Sequence, residues 1–459
     1  MPRVVVVGAG PSGLAAAFRI RQAVPGVQLT VLERAGRPGG NVWTDRRDGF
    51  TVEHGPNGLF DAKPHALDLC RDLGLGDRLI AGSEGSRKNR FLFLDGRMHR
   101  LPGSPLGVLR TPLLSVRGKL TLLSEPFRRR GRNLPEDETV AAFARRRFGS
   151  EAAATFVDAL VTGIHGGDPE KLSVRSAFPR LPLFERQAGS VVRGFMRAAK
   201  ERRREAEAAG RPNPGPRRLW SFRDGLRVMV EAAVAALGGA VHLGVGVRRV
   251  ERAGGGWVVR GGGRDEWPAD VVVLTCPAAE QAEMLADLDP ALAADIAGIT
   301  HAPIAVVAVG YRREHAASPD GFGYIAPQRT GRDALGVQWC SAVYPDRAPP
   351  GFVLWRALCG GVNRPDVLGW DDATLLRRTH AELVATMGVT GEPVFHQIVR
   401  WPRAIPQYVV GHADRVARIE ARTAAFPGLV LGGNAYHGVA LNDCCEQGEA
   451  IARRVAARM

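Results

Sequence analysis

The sequence predicts an α/β fold: a parallel sheet begun by the first residues, a mixed or antiparallel sheet later in the chain, and a helical segment between them. Three observations carry this. The opening run "RVVVVGAGPSGLAAAFRI" passes from consecutive valines to a glycine turn and then to apolar residues at helical spacing. Beyond residue 300, apolar runs of strand length at 303–311, 321–326, 334–340 and 352–359 are each bounded by turn residues. Between 105 and 218, leucine-rich helical pieces alternate with basic clusters such as Arg128-Arg129-Arg130 and Arg202-Arg203-Arg204.

In order along the chain, a second strand at Val27–Leu32 ends on Glu33, closing a βαβ unit. Residues 90–101, "RFLFLDGRMHRL", form a hairpin pattern with Asp95-Gly96 as its two-residue turn. "GRPNPGPRR" (210–218) reads as a loop or linker. A helix over 225–237 precedes short strands around 241–250, 257–260 and 265–268, then a buried strand at Val271–Thr275. A helix at 371–387, a strand at 394–400 and a terminal strand–helix, opened by Leu429-Val430-Leu431, complete the chain.

A chain of 459 residues exceeds one small core, so roughly two or three lobes are expected. Apolar content of 45% and charged content of 24% are those of an ordinary globular protein. No apolar run reaches the length of about 18 residues that a membrane-spanning helix needs. Residues 3–8 already read as a buried strand, which leaves no room for a signal peptide. The six cysteines show no CxxC spacing, and Cys444 and Cys445 are adjacent. Free thiols in a reducing cytoplasm are expected, and no metal site. The formal charge of +15 suits nucleic acid, an anionic membrane face or an acidic small molecule, or reflects arginine-rich solvated faces. No nucleic-acid motif, aromatic-interleaved basic stripe or zinc spacing supports the first of these.

Gly8-Ala9-Gly10-Pro11-Ser12-Gly13 fits G-x-G-x-x-G between a strand and a helix, and Glu33 follows at the end of the next strand. The first glycine permits the turn, the second admits a pyrophosphate to the backbone, and the third lets helix pack on strand. The helix start offers unpaired N–H groups to phosphate, and Glu33 can accept from a ribose diol. Glu33, Arg34, Arg37, Gly39-Gly40 and Asn41 then make an E-x-x-x-R-x-G-G pattern, and Gly55-Pro56-Asn57-Gly58 follows a short strand. Together these resemble the flavin amine oxidase superfamily. The resemblance implies a discontinuous FAD-binding Rossmann-like domain (1–88, 219–298, 410–459) with non-covalent FAD. It also implies that Gly432–Leu441 returns to the flavin, with the last helix aimed at the ring.

Further segments resemble the oxygen-dependent protoporphyrinogen oxidase family, in order and over nearly the whole chain. They are "VEHGPN", "NRFLFLDGRMHRLP", "TGIHGGDPEKLS", "WSFRDGL", "HAPIAVVAVGY", "GFGYIAP", "YPDRAP", "RWPRAIPQY" and "GNAYHGVALNDC". The resemblance implies a substrate domain (89–104, 299–409) and a helical, membrane-type domain (105–218). It places the backbone of Val247 at the adenine. Trp401, Asn434, Val439, Ala440 and Leu441 fall at the flavin. It gives Arg90 a propionate carboxylate, sets Asn57 and Gly163 in the porphyrinogen pocket, and puts Ile325, Gln338 and Leu358 around the macrocycle. Gln338 is polar where relatives are apolar, Leu358 replaces an aromatic residue of some members, and Asn41 replaces a larger one. His165 and His437 earn no catalytic label.

The implied reaction is oxidation of protoporphyrinogen IX to protoporphyrin IX. Hydride leaves a meso carbon for flavin N5, the pyrrole proton follows, and oxygen reoxidises the flavin. Positioning and a dry pocket suffice, and no general base is nominated. Coproporphyrinogen III is the alternative substrate; an amine oxidase and a non-catalytic flavoprotein-fold carrier are the other readings. A cytoplasmic protein is expected, peripheral on an anionic membrane face if the basic helical segment lies there, with a homodimer left open.

Overall fold

All residues except 129–130, 132–133, 209, 211–216 and 318 are described by the computed structural model. Arg129, Arg130 and most of the 210–218 loop therefore lie outside the described residues. Val4 and Val6 point to one side of β1 (Arg3–Val7), Val5 and Val7 to the other, and all four are buried. A strand covered on both faces reads as such an unbroken apolar run. A glycine turn leads into α1 (Pro11–Ala23), and β2 (Gln28–Glu33) returns parallel to β1. Next comes the hairpin of β3 (Phe91–Leu94) and β4 (Arg97–Arg100). Its turn uses Asp95 and Gly96 at φ 50° and 74°, as a twisted two-residue hairpin demands.

The helical segment follows, ending near the site with α2 (Asp158–His165). The chain then supplies β5 (Val241–Leu243), β6 (Val271–Leu274) and α3 (Ala278–Leu285). The later strands are β7 (His301–Arg312), β8 (Gly323–Ile325), β9 (Ala334–Gln338), β10 (Phe352–Gly360) and β11 (Phe395–Pro406). The chain closes with β12 (Leu429–Leu431) and α4 (Leu441–Ala456).

Two sheets organise the molecule. A 5-stranded parallel sheet runs β5-β2-β1-β6-β12. One face carries α1 and α4, which meet where Gly448 sits against Ala15 and Ala16. The other carries the small antiparallel sheet of Trp257 and Val259, together with α3. A 7-stranded sheet runs β11-β7-β10-β9-β8-β3-β4. It is mixed because β8 pairs with β3 in parallel, at Tyr324 with Phe91, while its other pairs are antiparallel.

The expected strand over 241–250 is broken. β5 stops at Leu243, and the next strand begins at Arg249. Between them the Gly244 and Val245 amides donate to the carbonyls of Ala35 and Glu33, at 3.0 and 2.9 Å. That anchoring lays Val245 and Val247 beside the end of β2 instead of continuing the sheet. The strand expected at 394–400 runs on to Pro406, because β7 is long enough to pair with all of it.

In the helical segment, Glu125 and Arg147 form a fully buried ion pair. The carboxylate also accepts from the Ser190 hydroxyl and from the Val191 and Val192 amides. Leu106, Leu109, Val116, Leu120 and Phe127 are exposed in this region. Among the described residues, no helix is long and apolar enough to cross a membrane.

Candidate active site

One cavity of about 790 Å³ runs from the glycine turn after β1 to the face of the seven-stranded sheet. Its first end is set by backbone sterics. Gly8 has φ +105°, and a Cβ there would lie 2.8 Å from the Cys276 nitrogen. A Cβ on Gly13 would lie 1.9 Å from the Gly8 oxygen, so only glycine lets α1 approach β1. Gly10 is the reverse case: a Cβ on it would meet nothing within 4 Å, because it faces the cavity. No side chain caps α1, and Pro11 at its start has no N–H to satisfy. The amides behind it face the open space beside Gly10.

Glu33 is held from both sides. The Ala9 amide donates to Oε2 and the Ala35 amide to Oε1, each at 2.9 Å. Each oxygen keeps a lone pair for a ligand hydroxyl. Arg37 donates to the Gly40 carbonyl at 3.0 Å and lies 4.8 Å from the Trp43 ring, which fixes the Gly39-Gly40 turn. Glu280 on α3 accepts from Arg34 at 2.9 Å and from Arg403 on β11 at 3.1 Å, tying the two sheets together at this end. Burial lowers the pKa of His301 here, with Arg403 reinforcing it.

Further in, Gly433, Asn434, Val439, Leu441 and Cys444 line the cavity. Ala440 precedes α4 without a capping side chain, and its own N–H donates to Asp443 at 3.1 Å. The helix therefore presents uncapped amides, and its positive end, beside the Leu441 wall. Trp401 lines the opposite side and donates its indole N–H to the His54 carbonyl at 2.8 Å. Asn57 is buried in the wall, and neither its Nδ2 nor its Oδ1 has a partner among the described residues. An orphaned amide of this kind costs about 1–3 kcal/mol unless a ligand both donates to it and accepts from it. A flavin fits these residues: an open glycine cradle, a diol acceptor, an uncapped helix and a polar pair left for a ring edge.

At the far end the wall turns apolar, with Ile164, Ile304, Val306 and Leu358. Val306 and Leu358 are direct partners on β7 and β10, so they form one surface. Gln338 and Arg356 continue it on β9 and β10.

The cavity brings together Gly8, Gly10, Pro11, Ser12, Glu33, Arg34, Arg37, Gly40, Asn41, Gly55, Pro56, Asn57, Val247, Gln338, Leu358, Trp401, Asn434, Val439 and Leu441. Ala9, Gly13, Gly39, Gly58 and Ala440 stand behind it as backbone supports. Gly58, for example, lies so close to the Trp220 carbonyl that a Cβ would come within 2.7 Å. Three expected substrate residues are not in the wall. Gly163 contacts Ile325, whose Cδ1 would be 2.5 Å from a Cβ there, so the two set the height of α2 above β8. The neighbouring Ile164 faces the cavity instead. Arg90 lies outside it, between the Phe60 and Phe322 rings at 5.4 and 5.0 Å. Sequence reasoning missed Thr275, Cys276, Arg248, Glu280, Ile304, Val306 and Arg356. Arg356 left a signal: one arginine inside the apolar run Phe352–Gly360.

The family model of flavin-containing amine oxidoreductases matches residues 11–456. The chain belongs to that family. It is 30% identical to the chloroplastic protoporphyrinogen oxidase of Nicotiana tabacum, over 98% of this chain and 85% of that one. It is 28% identical to the coproporphyrinogen III oxidase of Bacillus subtilis, over 97% and 96%. A crystal structure from Exiguobacterium, provisionally assigned as a protoporphyrinogen oxidase, superposes with a TM-score of 0.84 at 26% identity, over 100% and 99% of the two chains. This chain is thus a flavin-dependent oxidoreductase of the porphyrinogen oxidase family.

The glycine geometry separates folding from flavin binding. Gly10→Val is expected to fold, since its Cβ meets open space and the residue is extended at φ −75°. It should purify colourless, because the side chain occupies the phosphate cradle. Absorbance near the flavin bands, read beside circular dichroism, checks this; a yellow Gly10→Val protein contradicts it.

Proposed function

We propose that this enzyme binds FAD non-covalently and oxidises a porphyrinogen to the porphyrin, with oxygen as the final acceptor. The observation that carries the reading is the single cavity joining the dinucleotide cradle to the apolar wall of Ile164, Ile304, Val306 and Leu358. A largely apolar macrocycle, puckered at its tetrahedral meso carbons, suits such a wall, and water does not. Gly10, the start of α1 and Glu33 would hold the dinucleotide; Asn57, Trp401 and the Asn434–Leu441 return would hold the ring. When bound, the flavin supplies the two-electron oxidant for a ring C–H.

This chain's part is positional. Leu358 and Val306 support one side of the substrate and Ile164 covers another, which keeps the reacting carbon in a water-poor site. Among the described residues, the carboxylates and the histidine lining the cavity are Glu33, Glu280, Glu283 and His301; Glu280 pairs with Arg34 and Arg403, and Arg403 also acts on His301. The apolar wall itself carries no titratable side chain, His301 standing three residues before Ile304 on β7. That suits a reaction in which the pyrrole nitrogen drives hydride out and releases its own proton.

The test is an anaerobic-to-aerobic assay. Protoporphyrinogen IX or coproporphyrinogen III, mixed anaerobically with the purified protein, should bleach the flavin absorbance. Admitting oxygen should restore it while porphyrin fluorescence grows over many turnovers. Flavin left unbleached by both substrates would overturn the reading.

A further inference from the structure

We propose that Arg356, together with Gln338, receives a carboxylate of the substrate at the macrocycle's rim and makes the enzyme selective for the tetracarboxylate porphyrinogen over the dicarboxylate one. The proposal rests on the porphyrinogen reading and narrows it to a substrate class.

Arg356 is 1% exposed and lines the cavity. One terminal nitrogen donates to the Glu53 carbonyl at 2.6 Å and the other to Gln338 Oε1 at 2.6 Å. Its Nε–H has no partner among the described residues. A guanidinium only donates, so Gln338 must turn its oxygen toward Arg356. The Gln338 side-chain NH₂, which has no bond among the described residues, is then another donor on the cavity wall. The pair offers donors alone, which is the complement of a carboxylate.

Charge points the same way. Glu53 is the acid beside this group, and it is already engaged by Arg347 at 3.2 Å, by the Thr44 hydroxyl at 2.7 Å and by the Leu226 amide at 2.9 Å. Arg347 bonds this carboxylate and Arg356 the main-chain carbonyl of the same residue, so one acid faces two buried guanidinium groups. Burial lowers the Arg356 pKa, although the charge of Glu53 works against this. A buried cation without a full partner is costly, and an incoming anion relieves that cost.

Position supplies the rest. Arg356 lies two residues from Leu358 on β10, so both side chains leave the same face of the sheet, about 7 Å apart. A macrocycle resting on Leu358 therefore brings its rim substituents over Arg356. A propionate there can reach the guanidinium. The dicarboxylate macrocycle, bound with its two propionates turned away from Arg356, presents a vinyl group there and leaves the donors unpaired, and buried donors left unpaired discriminate strongly.

The experiment titrates flavin-loaded protein with coproporphyrin III and with protoporphyrin IX, reading fluorescence quenching. Steady-state kinetics on the two porphyrinogens run alongside. Wild type should bind the tetracarboxylate more tightly. Arg356→Met should weaken coproporphyrin roughly tenfold or more, raise the coproporphyrinogen KM alike, and leave protoporphyrin within about twofold. Arg356→Lys should recover part of the loss, since lysine cannot fork onto a carboxylate. If Arg356→Met does not fold, Gln338→Leu is read in the same comparison, with a several-fold loss confined to coproporphyrin. Equal losses for both porphyrins, no loss for either, or loss of bound flavin would overturn the proposal. A wild type that oxidises both substrates while Arg356→Met matches it sinks this proposal alone; a wild type that binds and oxidises neither sinks the porphyrinogen reading with it.

Discussion

Between the ordinary histidine pKa of 6.5 and about 4, the folded protein is expected to lose about 6 kcal/mol of stability through two buried imidazoles. Burial lowers the pKa of His165 to about 4. His165 has no bond to its Nδ1 among the described residues and packs edge-on to Phe178. His412 is also lowered to about 4: burial leads, with His437 and Arg415 adding to it and the Tyr436 carbonyl and Asp137 opposing. Both rings stay neutral in the folded protein at pH 5, whereas the unfolded chain has already protonated them. Stability from this source is therefore complete above 6.5, falls as pH drops, and levels off below about 4.

Tyr408 links this pair to the site. Its ring stacks on His412 at 4.3 Å and its hydroxyl donates to the carbonyl of Asn434, which lines the cavity. Flavin release should thus accompany the loss of stability. Urea unfolding at pH 7, 6, 5 and 4.5 measures the slope, about 1.4 kcal/mol per pH unit for each ring. His165→Phe should remove about half of it. A stability that is flat from pH 7 to 5 would contradict the assignment.

Glu125→Ala is expected to cost about 3 kcal/mol, because it removes the closer of the two carboxylates buried against Arg147 and leaves only Glu185, at 3.4 Å and shared with Arg146. Glu125 and Arg147 are 0% and 1% exposed, and the carboxylate also gathers the Ser190 hydroxyl and two amides at the start of the Val191–Ala208 helix. Burial works against its charge, yet the bonds from Ser190, Arg147, Val191 and Val192 hold its pKa below the usual carboxylate range. One side chain thus pins three pieces of the helical segment. Glu125→Gln, which can still accept from Arg147, should cost less. Equilibrium urea unfolding of both variants decides; an Ala variant within 1 kcal/mol of wild type would show that the cluster is held by other contacts.

The cofactor end was legible because backbone sterics write directly into residue choice. Gly8, Gly13 and Gly39 are glycine since a Cβ would strike a neighbouring main chain, and Glu33 follows from the length of one βαβ unit. The hairpin at Asp95-Gly96 was legible for the same reason. The broken strand at 244–248 was not, because its partners are carbonyls at the end of β2, more than 200 residues earlier in the chain. The substrate end was only half legible. The resemblance puts Gly163 and Ile325 at the pocket, whereas in the fold they form the helix–sheet contact beside Ile164. Arg356 hid among core residues, since strand alternation alone cannot tell an inward face that meets a core from one that meets a ligand.

The parallel sheet also constrains how the molecule comes into being. β1 pairs with β6 through Val4 and Val271, and β6 in turn waits for β12, through Val272 and Leu429. During synthesis the nascent chain holds an unfinished parallel edge on β6, and its α1 lacks the α4 neighbour that Gly448 admits. Loop closure over such separations is slow, and open strand edges invite association between chains. The glycine turn at Gly10 is translated first, yet residues 433–441, which line the same cavity, are translated last. The cavity is therefore complete only when the polypeptide is, and a chain that stalls short of β12 displays an open sheet edge on β6.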